Sequence, residues 1–216
     1  MFRQTADSGE TITCHKGCSL CCVLYVEASI KECEAIVYYL YQNESALSVF
    51  LQQYPKWRER IREYGDLFKR CEQTLHQKRG VGDSKETSRA LADALLFYKM
   101  QNISCPFLHN NICLIHEVRP YLCAAHYVTT PAEWCSPLNP RQPKVYKATL
   151  GDEMFDLSFY HKRLSGPVFS FMPVTVYEIL KGGFLYLSDI TGLESLEEEV
   201  MNDPEVRAIL LESSKP

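Results

Sequence analysis

The sequence predicts a mainly α protein: a small helical scaffold carrying two cysteine-rich loops, with a short β-ribbon in the C-terminal part. Three observations predict it. Apolar residues recur at spacings of three and four from Ala28 to about Met100, the period of helices buried on one face. The flanking segments, 14–29 and 104–136, hold eight of the ten cysteines and follow neither a helical nor a strand period. The last third, 144–216, contains no cysteine and opens on strand-like runs. The length of 216 residues fits a single domain, 1–216. Within it lie a helical scaffold over 28–101, the two cysteine segments and a C-terminal α/β extension.

Each element has a local reason. Ser29 and Glu32 form a capping box. The helix it opens carries the stripe Ile30, Cys33, Val37, Leu40, Tyr41, Leu47, Phe50, Leu51 and Tyr54, with a break expected around Asn43 and Glu44. After Pro55 a second stripe runs Trp57, Ile61, Tyr64, Phe68, Cys71 and Leu75. Gly80 and Gly82 interrupt it, and Asp83 with Glu86 restarts a cap. Leu91, Ala94, Leu95 and Tyr98 then form a third stripe. From Ser104 to about Pro143 the chain is rich in cysteine, proline and aromatic residues, so something other than its own core must order it. Lys144–Leu150 and Phe155–Tyr160 read as strands of a ribbon turning at Gly151-Asp152. Thr175 with Glu178 opens a short helix that Gly182 and Gly183 close, and Pro204 stands near a further helix start.

Composition narrows the function classes. With 46% hydrophobic and 23% charged residues the chain is not a disordered one. A net charge of −4 argues against nucleic acid as the main partner. Pro55–Arg79 holds eight Lys/Arg against four Asp/Glu, and Ser188–Pro216 two against eight; such blocks read as solvated helix faces. Met1–Thr13 is polar, and the apolar run Leu20–Val26 stops far short of the roughly 20 residues of a membrane span. The expectation is a cytoplasmic protein with no membrane partner, in which thiols stay reduced and clustered cysteines bind metal rather than one another.

The cysteines divide by pattern. Cys33 and Cys71 fall on apolar helical stripes and read as small core residues. The leading cluster is Cys14, Cys18, Cys21 and Cys22, in which Cys18 and Cys21 form the C-x2-C that lets two thiolates grip one ion. Gly17 sits where the turn before such a pair needs positive φ. The adjacent Cys21-Cys22 pair is harder to place on one ion, because neighbouring side chains are expected to diverge. The second cluster, Cys105, Cys113, Cys123 and Cys135, has gaps of seven, nine and eleven residues, too irregular for a zinc finger. His116 and His126 lie at C-x2-H from Cys113 and Cys123 and are weaker ligand candidates. Closing a loop of about 80 residues to join the clusters costs little more than closing a shorter one, since the entropy grows only logarithmically.

These residues carry a resemblance. Cys-x3-Cys-Ser-Leu-Cys-Cys before Tyr25-Val26-Glu27-Ala28, then Cys105-Pro106-Phe107-Leu108, Cys113-Leu114-Ile115-His116 and Arg119-Pro120-Tyr121-Leu122-Cys123, resembles the YkgJ-like cysteine-cluster family of zinc- or iron-chelating domains. Carried over by position, the resemblance implies Cys14, Cys18, Cys21, Cys22, Cys105, Cys113 and Cys123 as metal ligands, with Cys135 matching a frequent trailing cysteine. Two positions depart from the pattern: His116 stands where the family usually has Tyr, and Ala124 where it usually has Arg. Related cysteine motifs occur in the much larger flagellin lysine methylases, which gives a distant hint of enzymology.

Thiolate ligands suit zinc, Cu(I) or iron, including a [4Fe–4S] cluster. Two zinc sites would use all eight clustered cysteines and one cubane would use four; the irregular spacing favours iron. Arg119 could bind an anion beside the metal or form a salt bridge that fixes the Pro120 turn. Gly80-Val81-Gly82 lacks the third glycine of a dinucleotide motif, and no P-loop, G-x-S-x-G or His-Glu-x-x-His is present. Three classes of function follow: a metal-binding module, a metal-dependent enzyme using iron redox chemistry or zinc-activated water, and a metal carrier or sensor.

Overall fold

The computed structural model describes residues 11–15, 17–81, 85–147 and 168–182. The described residues form six helices and three two-stranded antiparallel ribbons, the mainly α architecture the sequence predicts.

Strand β1 (Glu27–Ser29) leads directly into helix α1 (Ile30–Gln42). The capping box is formed: Glu32 N–H donates to Ser29 Oγ at 3.1 Å, and Ser29 N–H donates to Glu32 Oε2 at 2.8 Å. Cys33, Ile36, Val37 and Leu40 are completely buried on one face, so Cys33 is the core residue its stripe predicts. The expected break falls at Asn43, whose N–H turns back to Leu40 O and whose side chain donates to Tyr39 O at 2.7 Å.

Helix α2 (Glu44–Glu63) runs straight through Pro55, so the two stripes on either side of that proline belong to one element. A proline inside a helix costs about 3 kcal/mol through a lost hydrogen bond and a clash. Ala46, Phe50, Tyr54, Trp57 and Ile61 are buried at spacings of three and four across it. Each large side chain of that stripe is worth about 1.5–3 kcal/mol, which outweighs the cost.

Helix α3 (Gly65–Val81) and helix α4 (Lys85–Met100) pack along each other, and the Cys71 thiol donates to Ala94 O at 3.4 Å. Cys71 is fully buried, again as its stripe predicts. The second and third stripes lie on separate helices, as the expected interruption implies: α3 runs through Gly80 to Val81 and α4 starts at Lys85; Gly82 and the cap expected at Asp83 lie outside the described residues. Asn102 takes φ 51° just beyond α4, the left-handed stop that asparagine tolerates.

The C-terminal part enters the same core. β6 (Phe169–Phe171) pairs with β1 in the register Glu27↔Phe171, Ala28↔Ser170, Ser29↔Phe169. Helix α6 (Met172–Gly182) follows and packs on α1. It begins three residues before the cap expected at Thr175. Pro173 fills the first turn, where its missing N–H costs nothing, and Thr175 Oγ1 donates back to Phe171 O at 3.1 Å instead of capping. Gly182 ends the helix as expected, and Gly183 lies outside the described residues.

Aromatic contacts tie these parts together. Tyr25 stacks on Phe171 at 4.3 Å, Phe50 on Phe107 at 4.2 Å and Tyr54 on Tyr177 at 4.0 Å. Residues after the leading cysteines, from the helices, from the second cysteine segment and from the C-terminal part therefore share one apolar cluster. Strand β5 (Val145–Lys147) realises the start of the predicted ribbon, but its partner is β4 (His126–Val128) inside the second cysteine segment. The expected second strand, the turn at Gly151-Asp152 and the acidic tail lie outside the described residues.

Candidate metal centre

The second cysteine segment is ordered by short elements that its composition concealed. β2 (Leu108–His109) and β3 (Ile112–Cys113) form a hairpin whose two-residue turn, Asn110-Asn111, has φ of 49° and 60°. That is the mirror-image turn for which asparagine is favoured, and the Asn-Asn pair was the sequence signal for it. Phe107 and Ile115, on either side of the hairpin, are buried in the core and anchor it. The hairpin presents Cys105 and Cys113. The one-turn helix α5 (Tyr121–Ala124) presents Cys123, and a 3-10 turn (Ala132–Cys135) presents Cys135.

The leading cysteines meet this segment through backbone bonds. Cys105 N–H donates to Cys22 O at 2.7 Å, joining clusters separated by all four long helices. Thr13 N–H donates to Val128 O at 3.0 Å, its hydroxyl bonds Val128 O and Thr130 O, and Val128 N–H donates to Cys14 Sγ at 3.4 Å. Ser19 Oγ bonds Asn111 Oδ1 at 3.2 Å. Gly17 has φ 87°, as the turn before Cys18 requires.

Electrostatics show how close the thiols lie. Cys14 feels Cys18 and Cys21, and Cys135 feels Cys21, Cys14 and Cys18. Cys22 feels Cys21, Cys105 and Cys113, while Cys123 feels Cys105, Cys21 and Cys113. Cys21 acts on Cys14, Cys22, Cys105, Cys113, Cys123 and Cys135, thiols of both segments. The adjacent Cys21 and Cys22 thiols act on each other, which lowers Cys21 and raises Cys22.

Burial sets most of the remaining thiols high. It pushes Cys105 up to about 12 against the Phe107 N–H that its sulfur accepts. It raises Cys113 against the Ile115 N–H, lifts Cys135 to about 11, and holds Cys123 well above the usual thiol range. These sulfurs carry protons at neutral pH, so a metal must displace them. Among the described residues Arg119 does not form the salt bridge that the sequence offers as one of its two roles. Its Nη2 donates to Tyr127 OH at 3.2 Å, and its charge lowers Cys14, Cys21, Cys113 and Cys123. A fixed cation beside the sulfurs offsets the charge that thiolates bring.

The histidines separate. His116 is exposed, whereas His126 is half-buried and held below its usual range by burial, with Lys99 adding to the effect. His15 is exposed at the surface, and so is His109, whose Nδ1 lies 3.0 Å from Gln53 Nε2. His161 lies outside the described residues, and Glu117 and Glu133 are exposed.

One residue was legible only as a cap. Glu32 Oε1 also accepts from Tyr121 N–H at 2.7 Å, so one carboxylate holds the start of α1 and the start of the turn carrying Cys123. Nothing in the spacing of Ser29 and Glu32 announces a partner so distant in sequence.

Among the described residues, no three Cys, His, Asp or Glu side chains stand in geometry to hold an ion. The donor chemistry nevertheless fits a thiophilic metal: eight thiols, backbone N–H groups aimed at three sulfurs, and one fixed cation. Binding an ion requires the thiols to lose their protons. No curated protein and no solved structure matches the chain. A family model does match, over residues 13–137, more than half of the chain and a span that contains all eight clustered cysteines. The protein thus belongs to the CxxCxxCC family, whose description reads "Putative zinc- or iron-chelating domain".

Proposed function

We propose that this protein chelates zinc or iron through thiolates of the two loops, with Cys14, Cys18, Cys21, Cys22, Cys105, Cys113, Cys123 and Cys135 as the ligand set. The observation that supports it most is the 2.7 Å bond from Cys105 N–H to Cys22 O, which brings two distant cysteine segments side by side. Cys14, Cys18, Cys21 and Cys135 make one subsite, and Cys22, Cys105, Cys113 and Cys123 the other. Each subsite offers the four thiolates that a structural zinc takes, and a [4Fe–4S] cluster would need only one subsite. His116 is exposed and stands outside the set, and His126 is the imidazole in reserve.

A catalytic reading has one observation in its favour. A cleft of about 240 Å³ is lined by Cys21, Cys135 and His126, so a metal there would face solvent and a substrate. An ion in an open site supplies Lewis acidity or an activated water.

Anaerobic purification followed by metal analysis, a visible spectrum and native mass spectrometry tests the proposal. At least one tightly held ion per chain is expected. Brown protein with broad visible absorbance identifies iron–sulfur, and colourless zinc-loaded protein identifies zinc. Cys18→Ser and Cys123→Ser should lower the metal content, whereas Cys33→Ala and Cys71→Ala should leave it unchanged. Metal-free protein that folds as the wild type does would overturn the proposal.

A further inference from the structure

The cleft beside the thiols supports an inference that does not depend on which ion they hold. One wall is the α4 face of Ala92, Leu95 and Leu96, and Leu24, Pro143 and Val145 complete the apolar lining. Leu96 is 42% exposed and Val145 38%, so a molecule seated there removes apolar surface from water. Three polar side chains, Lys99, His126 and Gln142, interrupt this lining. Among the described residues Lys99 has no carboxylate partner. His126 is half-buried.

The polar side of the cleft therefore presents the Lys99 ammonium beside the hydrogen-bonding groups of His126 and Gln142. A dianion such as a phosphate ester finds no second cation among those lining groups. It also meets the C-terminal turn of α4, the negative end of that helix's dipole. The volume is below the 300–1,000 Å³ or so of pockets for drug-sized ligands, which limits the occupant to a small molecule. We propose that the cleft binds a small organic monoanion, a carboxylate with a short apolar body. The carboxylate pairs with Lys99 and the body lies against Leu24, Leu95, Leu96 and Val145, beside the Cys21 and Cys135 thiols.

Hexanoate, hexan-1-ol and hexyl phosphate are the probes, titrated by calorimetry and by NMR into the full chain as isolated with its metal. Hexanoate should bind saturably at one per chain and more tightly than either other probe. Lys99→Gln should weaken it by about tenfold or more, Lys99→Arg should restore it to within about threefold, and Leu96→Asp should weaken it by about tenfold. The metal content of all three variants should equal that of the wild type, which separates this site from the chelating one. No saturable hexanoate binding, equal binding of hexan-1-ol, tighter binding of hexyl phosphate or no effect of Lys99→Gln would each overturn the proposal. So would a fall in metal content in Lys99→Gln, because the loss would then belong to the thiol cluster.

Discussion

The carboxylate of Glu32 accepts from Ser29 N–H at 2.8 Å through Oε2 and from Tyr121 N–H at 2.7 Å through Oε1. A charged acceptor bonding two backbone donors is worth more than an ordinary cap, about 1.5–3 kcal/mol per bond against about 1. If Glu32 only capped α1, its loss would lower stability and leave the metal alone. Because it also fixes the turn that carries Cys123, Glu32→Ala should do both. We expect a loss of about 2–3 kcal/mol in urea unfolding and faster transfer of the ion to a competing chelator. A stability loss with unchanged transfer kinetics would confine Glu32 to capping. Arg119 belongs to the same scale. Its charge lowers four thiols, an effect visible only once the fold has placed it among them.

At the scale of elements, the α3–α4 pair carries a buried thiol outside the clustered set. Burial pushes Cys71 up to about 11 from an ordinary 9.0, with Arg70 opposing. Below pH 9 the folded and unfolded states both keep this proton, and its contribution is complete. Between about 9 and 11 the unfolded state gives up the proton while the folded state retains it, so stability falls through that window. The loss approaches about 2 kcal/mol at its upper end. Urea unfolding at pH 8, 9 and 10 should show the advantage of wild type over Cys71→Ala shrinking as pH rises; a constant advantage would contradict this. The stripe that placed Cys71 in the core was legible because burial repeats at the helical period, and the same holds for Cys33. The continuity of α2 through Pro55 was not legible, because tertiary burial overrides a local breaker. The Asn110-Asn111 hairpin was written in the sequence, but it is too short to show a strand period.

For the whole molecule, the question is how far the cysteine loops and the helical core stand or fall together. Convergence of the two loops could be read from spacing and from absent periodicity, since no local structure explains so many thiols. The pairing of β4 with β5 is tertiary, and no local pattern encodes it. The core itself is built of helical side chains such as Ile36, Leu40, Phe50 and Ile61, which need no metal to stay buried. The loops touch it through Phe107 and Ile115, while much of their remaining length is held by isolated backbone bonds. Removing the ion should therefore loosen the loops and leave the helices. An ion at a free concentration of about 100 times its dissociation constant adds about 2.7 kcal/mol. In a chain of this size that amounts to roughly 5–10 °C in Tm. Stripping the metal under reducing conditions should lower Tm by that order and leave the far-UV helical signal largely intact. Amide exchange should accelerate over 12–26 and 105–135 and change little in α1 and α2. Loss of the helical signal along with the metal would mean that the ion nucleates the whole fold. An unchanged exchange pattern would mean that backbone bonds such as Cys105 N–H to Cys22 O suffice to hold the loops, and that the thiols sit together before any metal arrives.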